Sequence, residues 1–257
     1  VGLLDSATID ASGATGGGLV RIGGDYQGAN ADLANASQTT LSGTVSADAT
    51  TDGDGGRVIV WSDGDTDFSG SISATGGALG GNGGFVETSG KHIELTGLVT
   101  TLAANGEAGV YFIDPDDIEI STNGNFNETN YTQFLTSTID ANLDGGDVII
   151  STATDYTSGV EQASDNVTTD GGDIVISQPL SDTSGNKLTL IATEDIKVEY
   201  SGSINLTGDV ELQATTGGIQ AVGDVTSGGT LTTSSDGSQL FVGAVSASTL
   251  ALDATGT

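Results

Sequence analysis

Apolar and polar residues alternate inside short segments of this chain, and similar segments recur at a constant spacing. Val45, Ile72 and Val99 occupy equivalent positions in three such segments, each 27 positions from the next. A period of two places these residues on one side of a β-strand. Because one such segment cannot bury its apolar side alone, the repetition predicts stacked coils that share one core.

A second type of strand follows these segments, and glycine introduces each copy. The copies lie at 18–22, 56–60, 84–88 and 109–113. In the second copy, Val58 and Val60 are expected to point into the core. The paired glycines in front of these strands are expected to supply the positive φ of a sharp corner. The pattern therefore predicts an all-β fold, a parallel β-helix (solenoid) with long corner loops.

The alternation stops in a polar stretch after Ile120 and is followed by apolar residues at a spacing of four. Leu135, Ile139 and Leu143 show this spacing, which predicts one short helix over residues 132–143 that ends at a glycine pair. Three regions are thus expected: a β-helix with longer coils over 1–120, a polar insertion with the short helix over 121–146, and a β-helix with shorter, regular coils over 147–257.

Composition is consistent with a narrow core, and the net charge argues against two classes of partner, nucleic acids and anionic membranes. Hydrophobic residues make up 35% of the chain, against about 45–50% in a compact domain when glycine is counted as well, and this suits the narrow core of a solenoid. The net charge of −30 repels the phosphates of nucleic acids and anionic lipids, so neither is an expected partner. No apolar run approaches eighteen residues, and membrane insertion is not expected.

One acidic turn is a candidate metal site. Asp63, Asp65 and Asp67 alternate with other residues in a predicted turn, a spacing at which carboxylate oxygens can converge on calcium. The alternative is an ordinary solvated turn, because the rest of the EF-hand pattern is missing. Calcium is the only cofactor that the sequence suggests.

An outward-facing stripe is a candidate binding surface. If Val58 and Val60 point inward, then Arg57, Ile59 and Trp61 point outward, and Phe85 and Glu87 occupy the matching outward sites in the next coil. Such a stripe could stack on sugar rings or on a neighbouring molecule. We favour the alternative in which a corner loop or the predicted helix covers it, because monomeric proteins rarely leave such patches bare.

Catalysis is not expected. His92 is the sole histidine, there is no cysteine, and the five basic residues are scattered. No nucleophile elbow of the Gly-x-Ser-x-Gly type occurs. A β-helix alone confers no activity, so a glycan-active enzyme remains the weakest of the hypotheses.

Several runs of residues resemble consecutive blocks of filamentous-haemagglutinin-like exoproteins, the adhesins of two-partner secretion. They are Ile-Gly-Gly-Asp-Tyr-Gln-Gly at 22–28, Gly-Gly-Arg-Val-Ile-Val-Trp-Ser-Asp at 55–63, Gly-Gly-Phe-Val-Glu-Thr-Ser-Gly-Lys at 83–91 and Ile-Asp-Pro at 113–115. The second half of the chain is similar to the family's shorter repeats. Neither proline follows an asparagine, so the Asn-Pro motif of the secretion domain is missing, and the resemblance covers the shaft.

The resemblance implies a right-handed β-helix that an outer-membrane transporter partner exports from a Gram-negative bacterium. The protein is then expected outside the cell or on its outer surface, with a structural or adhesive role in adhesion, aggregation or biofilm matrix. Its partners would be host, bacterial or glycan surfaces, or copies of itself. The alternative is a subunit of an extracellular fibre that assembles end to end.

Overall fold

The computed structural model describes residues 1–122, 132–152 and 172–254. The remainder of the predicted polar insertion, residues 123–131, lies outside the described residues. The strands before that gap are β1 Gly2–Leu3, β2 Thr8–Asp10, β3 Leu19–Ile22, β4 Gln38–Leu41, β5 Thr44–Ser46, β6 Arg57–Trp61, β7 Asp65–Phe68, β8 Ser71–Ser73, β9 Phe85–Ser89, β10 His92–Leu95, β11 Leu98–Thr100, β12 Val110–Asp114 and β13 Ile118–Ser121. One 3-10 turn, Tyr26–Gly28, lies among them.

The later elements include the α-helix of the described chain. They are β14 Thr132–Leu135, α1 Thr136–Leu143, β15 Asp147–Ser151, β16 Ile174–Ile176, β17 Pro179–Asp182, β18 Leu188–Ala192, β19 Ile196–Val198, β20 Ser203–Leu206, β21 Val210–Ala214, β22 Ile219–Ala221, β23 Val225–Ser235, β24 Gln239–Phe241 and β25 Val245–Ala254. None of the helices in the described part of the chain is long and apolar enough to span a membrane.

The strands form parallel sheets that run along the stack of coils, which confirms the predicted parallel β-helix. One long sheet contains β3, β6, β9, β12, β15, β18 and β21 in consecutive order, and continues through β23 to β25. A second face is built from β1, β4, β7 and β10 and, further along, from the sheet of β14, β13, β16, β19, β22 and β24. The third carries β2, β5, β8 and β11. Strand pairing passes directly from β12 to β15, across the predicted insertion.

The register agrees with the repeats read from the sequence. Val45 pairs with Ile72, and Ile72 with Val99, so the 27-residue spacing corresponds to one coil. Val58 and Val60 are fully buried and belong to a single apolar cluster that runs through the described coils. Each coil therefore buries its apolar side against the coils above and below, as the composition requires.

Gly146, in front of β15, has the expected positive φ of 148°, but the glycines in front of β6, β9 and β12 have a different role. Gly56, Gly84 and Gly109 do not have positive φ. A Cβ atom on each would instead lie 2.1–2.2 Å from a carbonyl oxygen of the preceding coil. Glycine is needed there because the coils approach too closely for any side chain.

The predicted helix is only partly confirmed, because residues 132–135 form a strand. Thr132 and Phe134 pair in register with Ile118 and Ile120 of β13, and the fully buried Phe134 continues the core row of that face. The apolar spacing of four that begins at Leu135 predicted a longer helix, yet Leu135 is extended and only α1 is helical. Tertiary pairing overrides the local pattern in this segment.

Helix α1 occupies the third face of one coil, between β11 and β17. Asn142 accepts a hydrogen bond from the backbone N–H of Val99 in β11, at 2.9 Å, and its amide donates to the carbonyls of Gly97 and Thr138. Asp140 accepts from the N–H of Ser181 in β17. Polar side chains of α1 thus satisfy backbone groups on the strands to either side of it, which would otherwise lack a partner.

Many acidic residues have a structural role at the corners. In several coils a side-chain oxygen accepts a hydrogen bond from a backbone N–H of the next coil. These pairs are Asp54 with Asn82, Asn82 with Glu107, Asp173 with Asp195, Asp195 with Gly218, Asp209 with Thr230 and Asp224 with Ala244. The acidic composition therefore reflects, in part, a repeated link between successive coils.

Candidate functional site

A loop covers most of the predicted outward stripe. Ile59 and Trp61 are both 0% exposed. Residues 23–36, here named the covering loop, pass over them, and a Cβ atom on Gly24 or Gly28 would lie 2.5 or 2.7 Å from the indole ring of Trp61. The favoured interpretation, that a corner loop covers the stripe, is therefore confirmed for Ile59 and Trp61 only. Ile59 and Trp61 are not available to a ligand in this conformation.

The covering loop is attached at its far end through Asp63. The Trp61 Nε1–H donates to Asp63 Oδ1 at 3.2 Å, and the amide of Asn35 donates to the same oxygen at 2.8 Å. The Asn35 amide also bonds to the carbonyl of Gly28. The indole, the loop and the acidic corner thus form one hydrogen-bonded unit.

Two carboxyl groups are buried on the covered face, although no local pattern in the sequence marks them as buried. Glu87 is 0% exposed and Asp114 is 3% exposed. Burial raises the pKa of Glu87 to about 7, even though the backbone N–H of Gln27 and the hydroxyl of Ser89 donate to its Oε1. Burial, reinforced by the nearby charge of Glu87, raises the pKa of Asp114 well above its usual range.

The bond from Gln27 to Glu87 fixes the 3-10 turn of the covering loop. Gln27 has φ of 50°, a left-handed conformation that non-glycine residues adopt rarely and at a cost of about 1 kcal/mol or more. Its N–H points at the carboxyl group at 2.9 Å. The loop therefore closes over Glu87 at the expense of both backbone strain and carboxyl desolvation.

An aromatic and cationic cluster borders the covered face. The guanidinium of Arg57 lies 4.6 Å from the ring centres of both Tyr26 and Phe85. Phe85 also stacks on Phe112 at 6.3 Å. Phe85 is the one member of the predicted stripe that remains partly exposed. The sequence placed Arg57 and Phe85 correctly in register on the outside of the long sheet.

An open groove of about 650 Å³ runs beside this cluster, along the coil axis and across four coils. Its floor is formed by the glycines that precede the long-sheet strands. One side carries a row in strict register, Leu19, Arg57, Phe85 and Val110. The other side carries Asp54, Asn82 and Glu107. We name these the apolar row and the polar row.

No family model and no curated protein matches this chain.

The acidic turn does not have the predicted form. Asp65 and Asp67 lie in strand β7, where Asp65 accepts a hydrogen bond from Gln38, while Asp63 is engaged by Trp61 and Asn35. The segment is extended because it pairs with β4 and β10 on either side. Within residues 1–122, 132–152 and 172–254, no group of three or more His, Cys, Asp or Glu side chains is placed to hold a metal ion.

Because Asp65 and Asp67 lie in β7 and Asp63 binds Trp61 and Asn35, we expect calcium to stabilise the protein only as a screening ion. Calcium chloride and sodium chloride, compared at equal ionic strength, should raise the melting temperature to a similar extent, because both reduce repulsion within a chain of charge −30. Differential scanning calorimetry measures this directly. A calcium-specific rise that saturates, and that Asp65→Asn abolishes while Asp209→Asn does not, would show that Asp63, Asp65 and Asp67 bind calcium after all.

Proposed function

We propose that this chain is a non-enzymatic, stiff β-helical segment of a secreted or surface-displayed bacterial exoprotein, with a role in adhesion, aggregation or matrix formation. The observation that carries this proposal is the in-register long sheet, which runs from β3 to β25 through consecutive parallel pairs. A stack of coils that share one core behaves as a rod whose stiffness comes from nearest-neighbour pairing. Such a rod can hold a binding surface at a distance from the cell.

The motifs at 22–28, 55–63, 83–91 and 113–115 support the exoprotein class, since they resemble filamentous-haemagglutinin-like shafts. Export through an outer-membrane transporter partner of a Gram-negative bacterium follows from that resemblance. A chain without cysteine suits passage through a pore in an unfolded state, because no disulfide has to be undone. The binding partners under this proposal are host, bacterial or glycan surfaces, or further copies of the chain.

A second candidate function, end-to-end assembly into a fibre, is favoured by the apolar surface of β25. Leu250 pairs with the fully buried Leu231 and continues its row, but is 50% exposed, and Leu252 is 52% exposed. No described strand pairs with the far edge of β25. A further coil would cover both leucines and pair with this edge, and in the proposed fibre a second copy supplies that coil.

Attachment of coated beads tests the adhesive role. Latex beads that carry the folded chain should attach to bacterial or epithelial cell layers several-fold more than beads that carry an unrelated protein of similar negative charge. Equal attachment of the two bead types to every cell layer and matrix surface would contradict the adhesive proposal. Filaments in electron micrographs that lengthen with concentration, and that disappear in Leu250→Glu, would support the fibre instead.

A further inference from the structure

We propose that the groove between the apolar row and the polar row binds a neutral glycan chain, laid along the axis of the β-helix. This inference rests on the proposed adhesive function and names the chemical class of its ligand. It concerns four coils of the first region, with the side chains of Leu19, Arg57 and Phe85 on one side and those of Asp54, Asn82 and Glu107 on the other.

The polar row is pre-arranged for hydroxyl groups. Asp54 Oδ1 accepts the backbone N–H of Asn82 at 2.7 Å, and Asn82 Oδ1 accepts that of Glu107 at 3.0 Å. These bonds orient each side chain, and both residues are exposed, so Asp54 Oδ2 and the Asn82 amide are presented to a ligand. Sugar hydroxyls both donate and accept, and a fixed array of acceptors and an amide donor binds them with little further loss of side-chain entropy.

The apolar row supplies contact area for the carbon face of sugar rings. Leu19 on β3 is 51% exposed, so its apolar side chain is open to a ligand. Phe85 and Val110 continue the row, and Arg57 adds donors while its guanidinium is held over Phe85 at 4.6 Å. Ligand sites commonly combine apolar surface with a few well-placed polar groups. Here the apolar row can contact the carbon face of a sugar ring while the polar row bonds to its hydroxyl groups.

The spacing of side chains along each row is similar to the spacing of sugar units along an extended glycan. Successive coils are about 4.8 Å apart, as neighbouring strands of any sheet are. This distance is close to the length that one pyranose unit adds to an extended glycan. Each coil can therefore meet one sugar, and four coils, about 14 Å from first to last, accommodate a short oligosaccharide rather than a monosaccharide.

Peptides and anionic polymers fit the groove less well. The backbone N–H groups of Arg57, Phe85 and Val110 already bond to carbonyls of the preceding coil, so none is left to pair with an extended peptide. Asp54 and Glu107, on a chain of charge −30, repel uronates, sulfated sugars and nucleic acids. A neutral, polyhydroxylated chain needs no free backbone N–H groups from the strands, and the carboxylates do not repel it.

Isothermal titration calorimetry with neutral hexaoses tests the inference on the full chain. Cellohexaose, laminarihexaose and chitohexaose serve as probes, with hexagalacturonate as the anionic counterpart. At least one neutral hexaose should bind saturably and at least about tenfold more tightly than both its own disaccharide and hexagalacturonate. The double variant Leu19→Ala/Glu107→Ala should weaken that binding by about tenfold or more.

The matched control is Leu98→Ala/Glu94→Ala. Leu98 is also 51% exposed and Glu94 is exposed. They lie in β11 and β10, on the other two faces of the β-helix. This variant should bind within about twofold of the unmodified chain, and circular dichroism should show that both variants fold. Failure of every neutral hexaose to bind, or equal binding by Leu19→Ala/Glu107→Ala, would overturn the inference.

The bead assay separates this inference from the adhesive proposal. If beads that carry Leu19→Ala/Glu107→Ala attach as well as the unmodified chain and neither binds a neutral hexaose, adhesion stands and the groove is not its site. If a neutral hexaose binds in the groove but coated beads attach to nothing, the ligand class stands while the adhesive role falls.

Discussion

Replacement of Glu87 by glutamine is expected to raise the free energy of unfolding at pH 8 by about 3 kcal/mol and to leave it nearly unchanged at pH 4. The carboxyl group is buried beneath the covering loop, where burial raises its pKa from 4.5 to about 7. The folded chain therefore holds this proton more tightly than the unfolded chain does. Each pH unit between the two pKa values corresponds to about 1.4 kcal/mol.

The sign of the effect follows from proton binding. Between pH 4.5 and about 7 the folded state binds more protons than the unfolded state, so stability falls as pH rises through this window. Asp114, whose pKa is also raised, acts in the same direction, while the positive charge of Arg57 opposes the rise at Glu87. Glutamine keeps an oxygen that accepts the N–H of Gln27, but it cannot ionise.

Urea unfolding at several pH values measures the effect, and Glu94→Gln is the control. That substitution removes one negative charge from an exposed position of β10, so it reports how much stability comes merely from a lower net charge. Because Trp61 is the single tryptophan and lies under the covering loop, its fluorescence also reports whether the loop opens as Glu87 ionises. A stabilisation by Glu87→Gln that is the same at pH 4 and pH 8 would contradict the assigned burial of the charge.

The second large effect is expected from Trp61→Ala, which should lower the free energy of unfolding by about 3–5 kcal/mol. The indole is fully buried between the long sheet and the covering loop, and its removal leaves a cavity that the glycine backbone of the loop cannot fill. It also removes one donor to Asp63. The loop should then separate from the sheet, and water should reach Glu87.

Trp61→Phe separates packing from hydrogen bonding. Phenylalanine keeps most of the apolar contact but loses the Nε1–H, so a loss of about 1–2 kcal/mol is expected. Amide hydrogen exchange at Gln27 should accelerate strongly in Trp61→Ala and only slightly in Trp61→Phe, because the Gln27 N–H bonds to Glu87 only when the loop is closed. Equal stability and exchange in the two variants would show that the indole does not hold the loop.

Arg57 contacts the covering loop and also lines the groove, so the two stability predictions bear on ligand binding. Arg57 contacts Tyr26 of the covering loop and Phe85 of the apolar row at the same distance. Opening of the loop would release Tyr26 from Arg57 and change one side of the groove. Binding of a neutral glycan is therefore expected to be sensitive to the same substitutions, although neither Glu87 nor Trp61 lines the groove.

Local alternation in the sequence was sufficient to predict the parallel β-helix. Val45, Ile72 and Val99 could be aligned without a structure, because the period of two and the coil length are written into consecutive residues. The outward position of Arg57 and Phe85 followed from the same rule. The sequence also indicated that the stripe would be covered, since an exposed patch of Ile59 and Trp61 would be costly in water.

Features that depend on residues distant in sequence were decided only by the tertiary structure. The covering loop buries Glu87 from sixty positions away, and no local pattern marks that carboxyl as buried. Asp65 and Asp67 suggested a turn, but pairing with β4 and β10 makes the segment a strand. Residues 132–135 likewise pair with β13 in place of helix formation. In each case the deciding energy comes from burial or pairing against other coils, and a period read along one segment contains no information about them.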